Sequence, residues 1–309
     1  MKNIKILITG AGGFLGSHIS QYLTDRSYKV AINGRFSPKY FKTIHDHNWW
    51  KSYGMTLPDK RFIHMIKEIQ PHFLVHCAGS ASVQHSMKEP YRDFLANVKM
   101  CAFILENLRI YAPECHFIFL SSAAVYGNPL SLPVNENTLC KPVSPYGYHK
   151  MLCENLIEEY SSIYGLRTTI LRIFSAYGER LKKQVIYDLF KKISDPATFR
   201  IEVLGTGNET RDFIHALDIA KAIEIIILNQ SCGIFNLGSG QEIEIHALVE
   251  KIKNILQSSL PVHYSNVVRQ GDPLNWRADM NKIMSIGFTP SIPFDEGLKK
   301  YCTWLNTSC

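Results

Sequence analysis

The chain has 309 residues, of which 46% are hydrophobic and 20% charged, and its formal net charge is +7. This length exceeds the ~250–300 residues at which one hydrophobic core usually stops growing, so it predicts a large domain and a smaller one. No apolar run approaches the ~18–20 residues of a membrane span, and because the Lys and Arg residues are dispersed, the charge favours small polyanions over nucleic acid as partners.

The eight cysteines include no C-x-x-C pair and no regular spacing, which indicates reduced thiols rather than a disulfide framework or a zinc site. The first segment, MKNIKILITG, has too short an apolar run for a signal peptide and is typical of a β-strand. His45-Asp46-His47 resembles a metal-binding pair, but no third ligand is evident. We therefore expect a cytoplasmic protein without a bound metal.

Short β-rich segments alternate with helical patterns through the first half of the sequence. The predicted strands are residues 4–9, 29–33, 73–77, 116–121 and 168–173, and the predicted helices are residues 15–24, 91–110 and 146–163. Four of the five strands are mostly apolar, which is typical of strands buried on both faces of a parallel sheet. The alternation predicts an α/β fold with a doubly wound parallel sheet.

A glycine-rich loop follows the first predicted strand and opens the first predicted helix. Gly10, Gly13 and Gly16 of the string TGAGGFLG have the spacing G-x-x-G-x-x-G. Such glycines permit a tight turn, close approach of backbone N–H groups to a pyrophosphate, and packing of the helix against the strand. The helix N-terminus, with Phe14 and Leu15, then faces the phosphates with its partial positive charge. The loop predicts a Rossmann-type domain that binds a dinucleotide.

The pattern loosens after Ile173, where glycine-rich turns separate shorter elements. We therefore predict a dinucleotide-binding domain over residues 1–173 and a smaller, mainly substrate-binding domain over residues 174–309. Segments near residues 211–237, in particular 213–215 and 235–237, are expected to return to the sheet.

The end of the second strand indicates which dinucleotide is bound. An NAD site usually carries an acid ~20 residues after the glycines, hydrogen-bonded to the ribose hydroxyls. Asn33-Gly34-Arg35 offers no acid, and Arg35 could bind the 2′-phosphate of NADP through charge-assisted hydrogen bonds. This favours NADP over NAD, unless Arg35 is only a solvated loop residue.

Tyr146 and Lys150 lie four residues apart at the start of a helical pattern, so they share one helix face. A phenol ordinarily titrates near 10, and a cation about 4 Å away stabilises its anion by roughly 4 kcal/mol at an effective dielectric constant of about 20. Ser122 ends an apolar strand at its carboxyl side, where ligands bind in such sheets. The three residues predict proton transfer to or from a substrate oxygen while hydride moves at the adjoining carbon.

Four strings, TGAGGFLG, SSAAVYG, PYGYHK and GTGNETRDFIHALDI, occur in this order. Together they resemble the motifs of the short-chain dehydrogenase/reductase superfamily, in particular its extended branch that modifies nucleotide sugars, and the resemblance runs through nearly the whole chain. It implies that Ser122, Tyr146 and Lys150 are the catalytic triad. It also implies that Ala78 and Asn97 lie near the cofactor.

The resemblance also implies contacts with both ligands. Phe174 would lie near the nicotinamide, and Tyr146 and Lys150 would touch the cofactor as well. Arg211 and Arg269 match arginines that hold the diphosphate of a nucleotide-diphosphate sugar, a role that suits the guanidinium fork. Relatives dimerise through the helices equivalent to residues 91–110 and 146–163, so a homodimer is expected.

Three positions depart from the family pattern. The segment Gly54-Met55-Thr56 lacks the Asp that often contacts adenine. Ser175 replaces an Asn that is common in relatives holding uridine diphosphosugars, which leaves the base open, although Ser175 and Ser122 are still expected at the substrate. Ala123 and Ala124 stand where 4,6-dehydratases and decarboxylases carry an acid, and alanine cannot move a proton at carbon 5. These two reactions are therefore disfavoured.

Two reactions at carbon 4 of a nucleotide sugar remain. In a 4-keto-6-deoxy-sugar reductase, NADPH gives hydride to the ketone and Tyr146 supplies the proton. In an NAD-dependent 4-epimerase, Tyr146 removes the hydroxyl proton, the ketone rotates, and hydride returns to its other face. Arg35 and the missing acid favour the reductase. A non-catalytic sensor of the same fold would need only the glycine-rich loop, so the presence of Ser122, Tyr146 and Lys150 argues against it.

Overall fold

The computed structural model describes residues 3–36, 49–267 and 269–308. Within these ranges the strands are β1 (Lys5–Thr9), β2 (Lys29–Gly34), β3 (Lys51–Gly54), β4 (Phe73–His76), β5 (His116–Ser122), β6 (Thr168–Ile173), β7 (Ser175–Tyr177), β8 (Ile201–Val203), β9 (Thr210–Arg211), β10 (Phe213–His215), β11 (Gly233–Leu237), β12 (Ile243–Glu244) and β13 (Val262–Tyr264). The helices are α1 (Phe14–Asp25), α2 (Arg61–Ile69), α3 (Val83–Lys88), α4 (Pro90–Phe94), α5 (Met100–Tyr111), α6 (Pro145–Tyr164), α7 (Gln184–Ser194), α8 (Ala216–Asn229), α9 (Ile245–Leu256), α10 (Asn281–Ser285) and α11 (Phe294–Ser308).

Seven parallel strands form the main sheet, in the order β11-β6-β5-β4-β1-β2-β3. All residues of β4 and β6 are buried, because helices cover both faces of the sheet. Since the strands run in the same direction, their carboxyl ends and the loops that follow them meet at one edge. The predicted α/β fold of the Rossmann type is confirmed.

Separate apolar cores lie on the two faces of the sheet. On one face, α1 and α8 contribute Ile19 and Ile223 among other residues. On the other face, α2, α5 and α6 contribute residues such as Phe62, Leu105 and Ile157. Helices thus shield both faces of the sheet from solvent. Ligands can reach the sheet at its carboxyl edge.

The structure departs from the predicted elements in three places. Strand β3 adds an edge strand whose four residues, KSYG, are too polar to give a sequence signal. A π-helical turn over Leu95–Lys99 interrupts the helix predicted over residues 91–110 and carries Asn97. Segment 213–215 pairs with β7 in a separate two-stranded sheet, whereas β11 joins the main sheet beside β6.

The residues after Ile173 build a third core beyond the carboxyl edge. It is formed by apolar side chains of α7, α9 and α11 together with β8 and β10. Two small sheets, β9–β12 and β8–β13, complete this half. A domain boundary at residue 173 remains a prediction, since β11 of the second half is part of the main sheet.

Exposed apolar side chains are concentrated on α4, α5 and α6; they include Tyr91, Ile110, Tyr148, Leu152, Ile163 and Tyr164. These are the helices through which a homodimer is expected, and the dimer remains a prediction. Within the described ranges, no helix combines the length and the hydropathy needed to cross a bilayer.

Candidate active site

A cavity of about 600 Å³ lies beyond the carboxyl ends of the central strands. The wall on the sheet side comes from residues that follow or end four strands, namely 13–15, 77–84, 120–122 and 173–176. The opposite wall comes from the second half and includes Arg211 and Arg269. The volume is in the range of small-molecule sites in proteins, about 300–1,000 Å³.

The glycine-rich loop is folded tightly between β1 and α1. Gly10 has a φ of +68°, and a Cβ there would lie 2.5 Å from the backbone nitrogen of Ala78. A Cβ on Gly16 would overlap the carbonyl oxygen of Gly10. Gly13 is the N-cap residue of α1, and it lines the cavity together with Phe14 and the residue after it. Gly10 and Gly16 therefore allow close packing within the loop and against the turn after β4, and Gly13 places backbone on the cavity wall.

The end of β2 lies beside this loop. Asn33 is buried, and its amide donates to the backbone carbonyls of Tyr53 and Met55, both at 3.2 Å. Asn33 thus ties β2 to the segment after β3. Arg35 is exposed, and its carbonyl oxygen would lie 2.9 Å from a Cβ on Gly12. Arg35 is therefore next to the loop but is not among the residues that line the cavity.

Helix α6 begins at the wall of the cavity, and Ser144 caps its N-terminus. The Ser144 hydroxyl accepts a hydrogen bond from the Gly147 N–H at 3.2 Å, and Pro145 occupies the first turn. Both features favour a helix start at this position. The backbone N–H of Tyr146 donates to the Ser86 hydroxyl at 3.1 Å, which anchors the first turn to α3.

Lys150 is buried one turn after Tyr146 on the same helix face. Its ammonium donates to the Leu120 carbonyl at 2.8 Å and lies 4.6 Å from the Phe119 ring centroid. The ammonium is 5.9 Å from the centroid of the Tyr146 ring. Lys150 is thus held beside the Tyr146 ring, on the side of the helix that faces β5.

Ser122 completes the group at the end of β5. Its oxygen accepts a hydrogen bond from the Ala124 N–H at 3.2 Å, so the hydroxyl hydrogen can be donated to a ligand. Ser122, Tyr146 and Lys150 all line the cavity. The structure therefore brings together the three side chains that the sequence predicts to be catalytic, and that role remains a prediction.

The other predicted cofactor residues divide into two groups. Ala78 and Phe174 line the cavity, and Phe174 packs edge-on against Trp276 with ring centroids 5.9 Å apart. Asn97 is buried and is not part of the lining. Its side-chain oxygen would lie 2.7 Å from a Cβ on Gly79, so it supports the turn after β4 from behind. A direct contact between Asn97 and the cofactor remains a prediction.

Arg211, in β9, lies on the far wall. Its guanidinium donates to the Leu274 carbonyl at 3.1 Å and lies 5.9 Å from the Trp276 ring centroid. Burial raises the pKa of the neighbouring Asp272 carboxyl, and the charges of Arg211 and Arg269 oppose that rise. Neither Asp272 nor Trp276 is predicted from the sequence, although Asp272 stands in the same RQGD string as Arg269.

Two contacts join the second half to the segment of residues 79–84, which follows β4. The Lys183 ammonium donates to the Ala81 carbonyl at 2.9 Å. The Gln84 side-chain amide faces the Arg269 guanidinium, which carries only donors, so the amide is assigned with its oxygen towards Arg269, where it accepts from Nε at 3.0 Å and Nη2 at 3.1 Å. Ser175 lines the cavity between the two halves. The substrate residues predicted from the sequence are thus all on the lining, and Lys183 adds a cation.

The cavity fits a dinucleotide. Gly13 gives α1 no side-chain cap, so among the described residues the first-turn N–H groups of this helix have no side-chain acceptor and can bind phosphate oxygens. The described part of the chain holds no group of three His, Cys, Asp or Glu side chains arranged for a metal ion. His45-Asp46-His47 lies outside the described residues.

A doubly wound sheet with a glycine-rich loop after β1, and a Tyr–Lys pair facing that loop from α6, defines the short-chain dehydrogenase/reductase class of dinucleotide-dependent enzymes. The family model described as the NAD-dependent epimerase/dehydratase family matches residues 6–238. The chain belongs to this family, in the extended branch of the class, and is an enzyme that uses a nicotinamide dinucleotide.

Relatives match the chain over nearly its full length. It is 32% identical to a Methanocaldococcus jannaschii protein provisionally named UDP-glucose 4-epimerase, over 98% of this chain and 99% of that protein. It is 28% identical to the UDP-N-acetylglucosamine 4-epimerase of Methanobrevibacter ruminantium, solved with UDP-N-acetylmuramic acid, with a TM-score of 0.89 and 100% coverage of both chains. The Thermotoga maritima UDP-glucose 4-epimerase, solved with UDP-glucose, is 26% identical with a TM-score of 0.87, over 99% of each chain.

Proposed function

We propose that this protein is an NAD-dependent 4-epimerase of UDP-linked sugars. The observation that carries the proposal is the cavity itself, which connects the glycine-rich loop to Ser122, Tyr146 and Lys150 at one wall and to Arg211 and Arg269 at the other. A dinucleotide and a nucleotide sugar can therefore meet at one group of proton-transferring side chains. Three full-length relatives named as 4-epimerases support the same reaction.

The sequence alone favours a different member of the class, a 4-keto-sugar reductase that uses NADP. That preference rests on Arg35 and on the missing acid at the end of β2, and it finds no support among the relatives. The matching family model is described as NAD-dependent, and the relatives are named epimerases. Both readings share oxidation or reduction at carbon 4 of a nucleotide sugar, so the site chemistry is common to them.

Side chains of the sheet-side wall have roles in the proposed epimerisation. Bound at the glycine-rich loop, NAD would supply the acceptor and later the donor of the hydride at carbon 4. Tyr146 accepts the proton of the 4-hydroxyl in its anionic form, which the Lys150 ammonium stabilises. Ser122 donates a hydrogen bond to the same sugar oxygen and so stabilises charge that develops there. The proton returns from Tyr146 once the ketone has presented its other face.

The far wall holds the substrate while the sugar turns. Arg211 and Arg269 offer guanidinium groups that bind a diphosphate through paired, charge-assisted hydrogen bonds. Lys183, which also lines the cavity, adds a third positive charge. Because these residues would bind the diphosphate and not the hexose, they retain the nucleotide without restricting rotation of the sugar.

The test is incubation of the purified protein with UDP-glucose, UDP-galactose, UDP-N-acetylglucosamine and UDP-N-acetylgalactosamine, each in a separate assay. We expect at least one to yield its 4-epimer, resolved by ion-exchange chromatography and proton NMR, without net consumption of added NAD. The Tyr146→Phe variant is the matched control, since it keeps the cavity and lacks the proton-transferring hydroxyl. Failure of all four substrates, together with NADPH oxidation by a 4-keto nucleotide sugar, would contradict the proposal.

The reductase is the second candidate, and a specific observation favours it. Arg35 is exposed beside the glycine-rich loop, where an NADP 2′-phosphate could reach it. If Arg35 binds that phosphate, Arg35→Ala weakens NADPH by about tenfold or more and leaves NADH unchanged, since a charge-assisted hydrogen bond contributes ~1.5–3 kcal/mol. Equal affinities of the Arg35→Ala and wild-type proteins for NADPH would remove the support for this candidate.

A further inference from the structure

An ion pair is buried near the carboxyl edge of the sheet, between β6 and α6. Arg172, in β6, and Glu154, in α6, are joined by contacts of 2.7 Å between Nη2 and Oε2 and of 3.1 and 3.2 Å from Nε to the two carboxylate oxygens. Both side chains are only 6% exposed. Neither residue lines the cavity, and the proposed mechanism of proton transfer assigns a role to neither.

The ion pair is connected to the strand that carries Ser122. The Ser121 hydroxyl donates to Glu154 Oε1 at 2.5 Å, and Ser121 is the register partner of Arg172 across β5 and β6. On its other side, Arg172 Nη1 donates to the Tyr126 hydroxyl at 2.9 Å. The ion pair therefore forms hydrogen bonds to the segment SSAAVYG both before Ser122, at Ser121, and after it, at Tyr126.

The same pair is connected to the helix that carries the other two predicted catalytic residues. Tyr146, Lys150 and Glu154 recur every four positions, so they lie along one face of α6. Lys150 contacts the Leu120 carbonyl, and Glu154 contacts the next residue of β5, Ser121. Rotation or sliding of α6 against β5 would break both contacts, so they define the placement of Tyr146 relative to Ser122.

The stability of the fold does not explain why an ion pair, and not apolar side chains, is buried between α6 and β6. The desolvation of a buried ion pair roughly cancels its attraction, and apolar residues of similar volume are often at least as stable. A guanidinium–carboxylate fork has directional hydrogen bonds that apolar packing lacks. Direction matters at a proton-transfer site, because a misplacement of ~1 Å can slow a reaction about 100-fold.

We infer that Arg172 and Glu154 are positioning residues, which hold Ser122 in register with Tyr146 by way of Ser121. They act through these groups and touch neither substrate nor cofactor. The inference rests on the proposed reaction in one respect, that Ser122 and Tyr146 share a sugar oxygen.

Two variants and a control test the inference. Ser121→Ala removes only the hydroxyl that links the pair to the catalytic strand, and Arg172→Lys keeps the charge but not the fork. Thr169→Val is the control, because Thr169 is a buried residue at the other end of β6 whose hydroxyl donates to the Ser231 carbonyl at 2.5 Å. We expect kcat to fall about tenfold in Ser121→Ala and about 100-fold in Arg172→Lys, with KM and the NAD dissociation constant within about threefold of wild type. Thr169→Val should lower Tm and leave kcat unchanged.

A second measurement is independent of the substrate. Amide hydrogen exchange over residues 121–126 and the first turn of α6 should be faster in both test variants than in Thr169→Val. The inference is overturned if kcat is unchanged in a Ser121→Ala enzyme whose Tm falls as in the control, or if KM rises while kcat stays the same. Should the wild type epimerise no UDP-sugar, the proposed function fails instead, and equal amide exchange in all three variants would then overturn the positioning role as well. If Arg172→Lys does not fold, Glu154→Gln decides beside Ser121→Ala, because Glu154 does not line the cavity whereas Ser121 does.

Discussion

The two walls of the cavity are built in different ways. On the sheet side, backbone geometry sets the positions: Gly10 and Gly16 admit no side chain, and Lys150 is held by the Leu120 carbonyl. On the far side, Arg211 and Arg269 come from a two-residue strand and a loop, and are oriented by contacts such as that with Gln84. Groups that must be placed accurately for proton transfer thus lie on rigid elements, and groups that recognise a substrate lie on connecting segments.

The difference teaches where to expect each kind of kinetic effect. Changes to the sheet-side wall should reduce turnover or cofactor binding, and changes to the far wall should raise KM. Four experiments would sharpen this division or break it.

The largest effect is expected for Tyr146→Phe. If the Tyr146 hydroxyl carries the proton transfer, as proposed, its removal should lower kcat by about 10²–10⁴-fold. The ring keeps its packing, and the NADH dissociation constant, measured by fluorescence titration, should stay within about threefold of wild type. A kcat close to wild type would show that another group moves the proton.

A large loss of cofactor affinity is expected for Gly16→Ala. The added Cβ overlaps the Gly10 carbonyl oxygen, so the loop must shift its backbone N–H groups, and loss of one hydrogen bond to a charged phosphate, worth ~1.5–3 kcal/mol, raises the dissociation constant of NADH about ten- to 100-fold. Gly165→Ala is the matched control, since it strains a glycine of positive φ at the end of α6, outside the lining of the cavity. Equal affinities of the two variants would mean that the loop is not the dinucleotide cradle.

An intermediate effect on KM is expected at the far wall. Replacement of Arg211 or Arg269 by Met removes charge-assisted hydrogen bonds worth ~1.5–3 kcal/mol, so KM for the UDP-sugar should rise about ten- to 100-fold. The change in kcat should be smaller, because proton transfer occurs at the opposite wall. Arg61→Met, which removes an exposed ion pair with Asp59, serves as the control. A fall in kcat at constant KM would break the division between the walls.

The smallest effect is expected at a histidine that joins the two halves. His18, in α1, contacts the Glu179 carbonyl at 2.8 Å, and burial lowers its pKa to about 4. Because the unfolded chain takes up this proton near pH 6.5 and the folded protein does not, the free energy of unfolding decreases as the pH falls from about 6.5 towards 4.

Urea unfolding of wild type and His18→Gln at several pH values measures this contribution. Glutamine does not titrate, so between pH 6 and pH 5 the slope of stability against pH should be lower in the variant by about 1 kcal/mol per pH unit. His76 and His116, with pKa values that burial lowers to about 3 and about 4, keep part of the slope in both proteins. Identical slopes would mean that His18 is already protonated in the folded state.

The sheet-side wall could be predicted from the sequence because each of its parts is local. The glycine spacing, the capped start of α6 and the apolar strand before Ser122 are contiguous strings whose periodicity specifies an element and a direction. The π-helical turn over Leu95–Lys99 shows the limit of this reasoning, because it interrupts the helix predicted over residues 91–110. No pattern with a period of 3.6 residues predicts such a turn.

The far wall could be predicted only in part, because long-range contacts build it. Trp276 is placed by a hydrogen bond from its indole nitrogen to the Gly127 carbonyl at 3.0 Å, between residues far apart in sequence. Segment 213–215 leaves the main sheet for β7 for a similar reason, since pairing partners are chosen by tertiary packing. The preference for a reductase had an equally narrow base, Arg35 and the missing acid at the end of β2.

The contacts between residues 79–84 and the second half have a consequence for intermediates. The Lys183–Ala81 and Gln84–Arg269 contacts are hydrogen bonds to charged groups, each worth ~1.5–3 kcal/mol. Their sum of ~3–6 kcal/mol lies near the low end of the ~5–15 kcal/mol of a typical global unfolding, so these contacts between the two halves can open more often than the sheet unfolds. If the protein is the 4-epimerase proposed above, a 4-keto sugar released during such an opening is lost as a side product. We therefore expect these two contacts to set the fraction of turnovers that leak ketone, a quantity separate from both affinity and rate.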